Sequence, residues 1–266
     1  MIPNLLSIAG SDPSGGAGIQ ADLKTFSALG GYGMAVVTAL TAQNTRGVRG
    51  IHRPPAAFVA DQIDAIFEDI RVDSVKVGML ATVEIAEVVA DRLRRYRPRH
   101  VVLDPVMVAT SGDPLLTTDA VATIRSRLLP LASVTTPNLP EAALLLGATP
   151  ARDLAGMRDA ARALHRLGAQ AVLLKGGHLS GDNSDDLLWD GTAEHILTAP
   201  RIATAATHGT GCTLSSAIAA LLPQSSDLAA AVAKAKAFVT DALRSADQLT
   251  VGLGHGPVHH FHDLWR

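Results

Sequence analysis

The stretch NLLSIAGSDPSGGAGIQADLKTFSALG, residues 4–30, predicts the unit from which the chain is built. Residues 4–10 form an apolar run typical of a strand, and residues 11–18 are rich in glycine and polar residues, as loops are. In residues 19–30, Leu23, Phe26 and Leu29 recur near helical spacing. Strand, glycine-rich loop and helix in this order indicate a parallel sheet with helical crossovers.

The same order recurs along the rest of the chain. Further strands are predicted within 31–44, 72–80, 100–107, 133–137 and 170–178. Further helices are predicted within 56–70, 82–96, 118–132, 139–147, 157–169 and 228–246, with Pro130 and Gly147 as expected stops. Asp190-Gly191 between two β-like runs predicts an antiparallel hairpin at the sheet edge. We expect one domain over residues 1–266, because no linker or composition break divides it.

Composition fits this fold and argues against several functions. Of 266 residues, 47% are hydrophobic but only 3% are aromatic, which suits buried parallel strands packed with aliphatic side chains. A net charge of -2 gives no electrostatic reason to expect nucleic acid or an anionic membrane. No apolar run is long enough for a membrane span or signal peptide. The single cysteine makes neither a disulfide nor a zinc site by itself. We therefore expect a cytoplasmic protein.

Ligands in such folds bind outside the carboxyl ends of the strands, where three glycine-rich loops lie. The first, Gly16 to Ala21, fits the dinucleotide pattern G-x-G-x-x-A. The acidic residue expected about 20 positions later is missing from the segment VVTALTAQN, residues 36–44, which disfavours a nicotinamide oxidoreductase. No Walker-type phosphate loop is present.

The other two loops are stronger candidates for phosphate binding. Lys175 ends an apolar strand before two glycines, where a cation needs an anionic partner, although a surface lysine in a turn is the plainer interpretation. In HGTGC, residues 208–212, Gly209 and Gly211 allow successive N–H groups to point into one concavity, and a helix is expected from about Thr213. Cys212 alone fits a plain loop–helix junction with a buried cysteine as well.

Carboxylates at neighbouring strand ends suggest a magnesium site. Asp104 ends an apolar strand, and Asn138 and Glu141 lie three residues apart at a helix start. Near a triphosphate, Asp104 and Glu141 could hold Mg²⁺ through water, although Glu141 could instead complement the helix N-terminus. The C-terminal histidines match no zinc spacing and indicate a packed tail.

Eight segments in register carry a resemblance to a known family. They are AGSDPSGGAGIQADLKTFSALG, TALTAQNT, KVGML, VLDPVM, TPNLPEA, LLKGGH, THGTGCTLSSAIAA and GPVHHF, within residues 4–262. Together they resemble the bacterial hydroxymethylpyrimidine/phosphomethylpyrimidine kinases of the ribokinase-like superfamily. The resemblance implies a doubly wound α/β fold, ATP and Mg²⁺ as cofactors, and a homodimer. It also implies two successive phosphorylations of 4-amino-5-hydroxymethyl-2-methylpyrimidine in thiamine diphosphate biosynthesis.

The resemblance also implies roles for individual residues. The pyrimidine pocket would comprise Gly10, Asp22, Gln43, Met79 and Val106. Gln43 can donate and accept at one base edge, Asp22 could accept from the exocyclic amine, and Met79 offers an apolar face. The residues that serve ATP would be Asn138, Glu141, Lys175, Gly209 and Gly211, with Gly209, Thr210 and Gly211 forming the anion hole.

Cys212 stands where most sugar kinases of the superfamily have an aspartate. One interpretation is a thiolate base, since a helix N-terminus and bound cations lower a thiol pKa. The other is that phosphoryl transfer needs little base help, and a neutral thiol tolerates a phosphorylated acceptor that aspartate would repel. We expect a mixture of the two roles. Pyridoxal kinase and a non-catalytic vitamin-binding protein are the alternative functions. An intact Lys175, Glu141 and GTGC turn argue against the latter.

Overall fold

The computed structural model describes residues 1–107 and 118–265, and one sheet runs through this part of the chain. Its order is β3-β2-β1-β4-β5-β6-β7-β8-β9. The strands are β1 Asn4–Gly10, β2 Tyr32–Asn44, β3 Gly47–His52, β4 Ser74–Val77, β5 Val101–Leu103, β6 Val134–Thr135, β7 Val172–Lys175, β8 Asp186–Trp189 and β9 Glu194–Leu197.

Helices cover both faces of this sheet. They are α1 Gly18–Ala28, α2 Ala56–Asp69, α3 Val83–Tyr96, α4 Thr118–Thr123, α5 Leu139–Leu146, α6 Leu154–Arg166, α7 Thr210–Leu221 and α8 Leu228–Arg244. Alternate side chains of β1 serve the two faces. Leu6 and Ile8 pack in the core that α2, α3 and α6 share, whereas Leu5 packs with Phe26 and residues of α7 and α8.

Strand direction confirms the predicted fold class. The strands β2, β1, β4, β5, β6 and β7 pair in parallel. The hairpin of β8 and β9 continues the sheet in antiparallel fashion, and its turn is held by Asp190, whose Oδ1 accepts from the N–H groups of Thr192 and Ala193. This is the doubly wound arrangement with an antiparallel edge hairpin that the resemblance implies.

Three local predictions need correction. Strand β3, antiparallel to β2, was not predicted, because GVRGIH (residues 47–52) lies on an edge and is only half-buried or exposed. The helix predicted over 118–132 is α only to Thr123, then turns through a π-helical segment, Ile124–Leu128, before Pro130. Helix α7 begins at Thr210, earlier than Thr213, because the glycine turn ends at Gly209.

The predicted stop at Gly147 is confirmed, since this residue ends α5 at φ 65°. The C-terminal tail packs as predicted: His259 and His260 are buried, and the Thr213 side chain lies 3.1 Å from His260 Nε2. In the described part of the chain, no helix is long and apolar enough to cross a membrane.

Candidate active site

A cavity of about 740 Å³ opens at the carboxyl ends of the parallel strands. It gathers almost all of the predicted site residues, although they come from distant parts of the sequence. Those on its wall are Gly10, Gln43, Met79, Asp104, Val106, Asn138, Glu141, Lys175, Gly209, Thr210, Gly211 and Cys212. Asp22 is not on the wall.

Part of the cavity wall is apolar. Met79, just beyond β4, packs with Ala39 and Val106. A Cβ on Gly10 would lie 3.1 Å from Met79 Sδ, so glycine keeps the wall flat here. Gln43 on β2 borders this part half-buried, and its Oε1 accepts from Thr41 Oγ1 at 3.3 Å. An apolar slot with one amide at its rim suits a flat heterocycle. We call it the ring pocket.

Asp22 does not take the predicted place in the ring pocket. It is fully buried under the cavity floor, where both its oxygens lie 2.8 Å from Lys76 Nζ. Ser7 and Ser216 each donate a hydroxyl hydrogen bond to it at 2.6 Å. A carboxylate with these partners is not free for a substrate amine. The prediction was wrong because helix α1 turns this side chain inward.

The glycine turn before α7 has the predicted character. Gly209 has φ +79°, and a Cβ there would collide with the carbonyl oxygen of Gly16. The N–H groups in the first turn of a helix have no partner within the helix and carry its positive end. Because α7 begins at Thr210, those of Gly211 and Cys212 belong to this turn. We call residues 209–212 the phosphate turn.

Lys175 lies beside the phosphate turn and between two carboxylates. Its Nζ is 3.3 Å from Asp104 Oδ1 and 3.8 Å from Glu141 Oε2. Burial opposes its charge, but the two carboxylates prevail and raise the pKa of Lys175. Burial in turn raises the pKa of Glu141, against the Lys175 charge. A Cβ on Gly211 would lie 3.3 Å from Nζ, so the Lys175 ammonium lies close to the phosphate turn.

Asn138 and Glu141 form a capping box at the start of α5. Asn138 Oδ1 accepts from Glu141 N–H, and Glu141 Oε2 accepts from Asn138 N–H, both at 2.8 Å. Glu141 thus complements the helix start, as the plainer interpretation held. It also borders the cavity, so the two interpretations are compatible.

Without bound nucleotide or cation, the surroundings of Cys212 do not lower the pKa of its thiol. Burial raises the pKa of its thiol to about 11, although the nearby Lys76 ammonium and the Gly18 N–H act in the opposite direction. The thiol of the protein without nucleotide is therefore neutral at neutral pH. Position at a helix N-terminus does not outweigh the loss of hydration here.

Sequence reasoning missed three charged or ionisable residues of the site. Lys76 lies in β4, and its presence inside a buried strand was the same signal that singled out Lys175. Asp12 accepts from Ala17 N–H at 2.9 Å and lies 2.7 Å from His208 Nε2, which joins the first loop to the phosphate turn. Burial opposes the Asp12 charge, but His208 and Ser14 hydrogen bonds lower its pKa.

The described residues contain no group of three or more His, Cys, Asp or Glu side chains arranged to hold a metal ion. The donors that face the cavity are Asp104 and Glu141, as predicted. Both carboxylates already accept hydrogen bonds: Ser215 Oγ donates to Asp104 Oδ2 at 3.0 Å, and Asn138 N–H donates to Glu141.

Comparison with known proteins gives a consistent picture. The phosphomethylpyrimidine kinase family model matches residues 12–259. A hydroxymethylpyrimidine/phosphomethylpyrimidine kinase of Escherichia coli is 58% identical over 262 residues, 98% of each chain. A thiamine biosynthesis bifunctional protein of Geobacter sulfurreducens is 57% identical over 257 residues, 97% of this chain and 52% of that one. An ADP complex of Bacillus subtilis pyridoxal kinase has TM-score 0.90 at 37% identity, with 98% of both chains covered.

Proposed function

The chain belongs to the phosphomethylpyrimidine kinase family, and we propose that it phosphorylates hydroxymethylpyrimidine and then its monophosphate with ATP, in thiamine biosynthesis. The observation that carries the proposal is a single cavity that joins a ring pocket to a lysine and a glycine turn suited to phosphate. This chain is a kinase that uses ATP, as its relatives do.

The ring pocket would hold the pyrimidine. Gln43 offers a donor and an acceptor from one side chain to the base edge. Met79 and Val106 would lie against the ring, and the flat wall at Gly10 gives it room. The hydroxymethyl group would then point along the floor toward the phosphate turn.

The phosphate turn and Lys175 would hold the donor phosphates. Positive charge and N–H groups fixed before the reaction stabilise the charge that spreads over the transferring phosphoryl oxygens. The acceptor oxygen forms a bond to the γ-phosphorus as the bond to the β–γ bridging oxygen breaks, and ADP leaves. A triphosphate would replace Asp104 and Glu141 as the partner of Lys175.

Mg²⁺ fits the donors on this wall. Asp104 and Glu141 offer hard carboxylate oxygens, and both already hold protein hydrogen bonds, so they would hold the ion through water. When bound, Mg²⁺ would neutralise charge on the phosphate oxygens. Without a triphosphate, Lys175 keeps both carboxylates paired.

For Cys212 we propose the second role. A neutral thiol does not repel a phosphorylated acceptor, whereas an aspartate in this position would. The proton of the acceptor hydroxyl can leave on an oxygen of the transferred phosphoryl group, since a loose transfer needs little base assistance.

The first test counts ADP released by purified protein with ATP, Mg²⁺ and limiting hydroxymethylpyrimidine. We expect about two ADP per pyrimidine, one for each transfer. One ADP per pyrimidine would mean that only the first phosphorylation takes place. Release with limiting pyridoxal instead would assign the pyridoxal kinase alternative, and no release with either would revive a vitamin-binding protein.

The Lys234→Met variant, which removes an exposed lysine, is the control for nonspecific effects.

We further propose that residues 1–266 form one domain, that the protein is a cytoplasmic homodimer, and that it binds neither nucleic acid nor membrane. Light scattering on the purified chain tests the dimer.

A further inference from the structure

Lys76 is a lysine inside the sheet. It lies in β4 with its side chain fully buried, and its Nζ contacts both oxygens of Asp22 at 2.8 Å. An isolated ammonium in such a place would lose its proton. The Asp22 carboxylate keeps it charged and raises the pKa of Lys76 against burial.

The ion pair is oriented with its positive end toward the cavity. Lys76 belongs to the cavity wall, whereas Asp22 lies behind it. A Cβ on Gly78 would lie only 2.9 Å from Lys76 Nζ, so the ammonium lies toward the carboxyl end of β4, where the cavity opens. The cavity floor therefore carries a fixed positive charge with its counter-charge on the far side.

Lys76 is linked to the ring pocket through β4 and to the phosphate turn through α7. Met79 follows Lys76 by three residues and lines the ring pocket. On α7, Ser216 donates to the same Asp22 oxygen pair, and Cys212 lies one helical turn earlier on the same side. Burial raises the pKa of the Cys212 thiol; the Lys76 ammonium opposes this rise and the Asp22 carboxylate adds to it, so both charges of the pair act on this part of the cavity.

We propose that Lys76 is a positioning residue for the second transfer: its buried charge allows the site to accept an acceptor that already carries a phosphate. The inference rests on the proposed function. An acceptor that spans the ring pocket and the phosphate turn places its exocyclic group above this floor. A monophosphate there is an anion, whereas the hydroxymethyl group of the first substrate is neutral.

The charge acts through the floor rather than by contact, because Lys76 is fully buried. A charge enclosed in protein is screened less than a charge on the surface, so it attracts an anion more strongly at the same distance. The charged groups that face Lys76 are Asp22 from α1 and Asp104 after β5, and the titratable thiol is Cys212 from α7.

The test removes the charge while keeping the core neutral. The double variant Lys76→Met/Asp22→Asn replaces both members of the pair with uncharged groups of similar size, so no buried charge is left alone. We expect kcat/KM for the monophosphate to fall at least about tenfold more than kcat/KM for the alcohol, mainly through KM. Lys234→Met, an exposed lysine, should change neither.

A binding measurement separates this inference from the proposed function. Calorimetry without nucleotide should show at least about tenfold weaker binding of the monophosphate to the double variant and nearly unchanged binding of the alcohol. Equal losses for both ligands in a folded variant would overturn the role of Lys76, whether or not transfer occurs. Failure of wild-type turnover with intact selective binding would instead overturn the proposed function.

If the double variant does not fold, a structure of the wild-type protein with bound monophosphate still tests the role of Lys76. In a crystal structure with the monophosphate, the phosphate should lie above the floor within about 8 Å of Lys76 Nζ, a distance at which charges interact through a protein interior. A phosphate bound at the far end of the cavity would contradict the inference.

Discussion

Two lysines line the same cavity but differ in burial and in the geometry of their ion pairs. Lys76 is fully enclosed, with one carboxylate at 2.8 Å and two serine hydroxyls completing that carboxylate's shell. Lys175 keeps 15% of its side chain exposed and lies at 3.3 and 3.8 Å from two carboxylates. The close pair is a fixed part of the core, whereas the looser cluster can exchange partners with a ligand. Burial alone thus does not distinguish a cation that is fixed within the fold from one that a ligand can contact directly; the geometry of its partners does.

The largest effect is expected at the looser cluster. Lys175→Met should lower kcat/KM by about a thousandfold for both acceptors, because it removes charge that acts on the transferring phosphoryl group itself. Steady-state ADP release with each acceptor measures this. Lys234→Met serves as control, and a loss confined to one acceptor would contradict a role toward the donor phosphates.

Breaking the ion pair of Lys76 and Asp22 should lower the stability of the protein. Lys76→Met alone should lower the free energy of unfolding by about 3–5 kcal/mol, since it leaves the Asp22 carboxylate buried without a counter-charge. Urea denaturation measures it, and Lys76→Met/Asp22→Asn should recover most of the loss. If the single variant were as stable as the double one, the pair would not be the fixed element described here.

A matched pair of glycines sharpens the contrast. A Cβ on Gly78 would lie 2.9 Å from Lys76 Nζ and 3.0 Å from Ala9 Cβ, whereas one on Gly211 would lie 3.3 Å from Lys175 Nζ. Gly78→Ala should cost about 1–3 kcal/mol of stability, because neither neighbour can move.

Gly211→Ala should lower stability less than Gly78→Ala does, because the Lys175 side chain can shift away from the new methyl group. The shifted lysine would contact the phosphates of ATP less closely, so KM for ATP should rise about fivefold. Thermal unfolding and ATP titration of the two variants measure the contrast. The reverse pattern, with Gly78→Ala affecting ATP and Gly211→Ala affecting folding, would reverse the assignment of the two lysines.

The last prediction concerns Cys212 and tests neither lysine directly. With a thiol pKa raised to about 11, the thiolate is a minor species at neutral pH, and its fraction rises as pH increases toward that value. Alkylation by iodoacetamide without nucleotide should be slow at pH 7 and accelerate about tenfold per pH unit up to about pH 10. A rate that levels off below pH 8 would restore the thiolate interpretation.

The order of elements could be predicted from local sequence. Apolar runs, the stop at Gly147 and the Asp190-Gly191 turn are short-range signals, and the structure contains each of them. Edge strand β3 could not, because its half-exposed residues carry no apolar pattern. The phosphate turn and Lys175 could also be predicted from local sequence. Glycines before a helix and a lysine at the end of an apolar strand are unusual enough to indicate a binding site by themselves.

The direction in which the polar side chains face depends on the folded arrangement of distant segments. Lys76 and Asp22 lie 54 residues apart, and Asp12 and His208 lie 196 apart, so no local pattern pairs them. The pKa of Cys212 likewise depends on a balance between lost hydration and the charges that the fold brings near it, Lys76, Asp22 and Asp104. Local sequence patterns were enough to predict the fold class and the phosphate-binding part of the site. Folding determined the charge of its floor, because electrostatic energies depend on distances in space rather than along the chain.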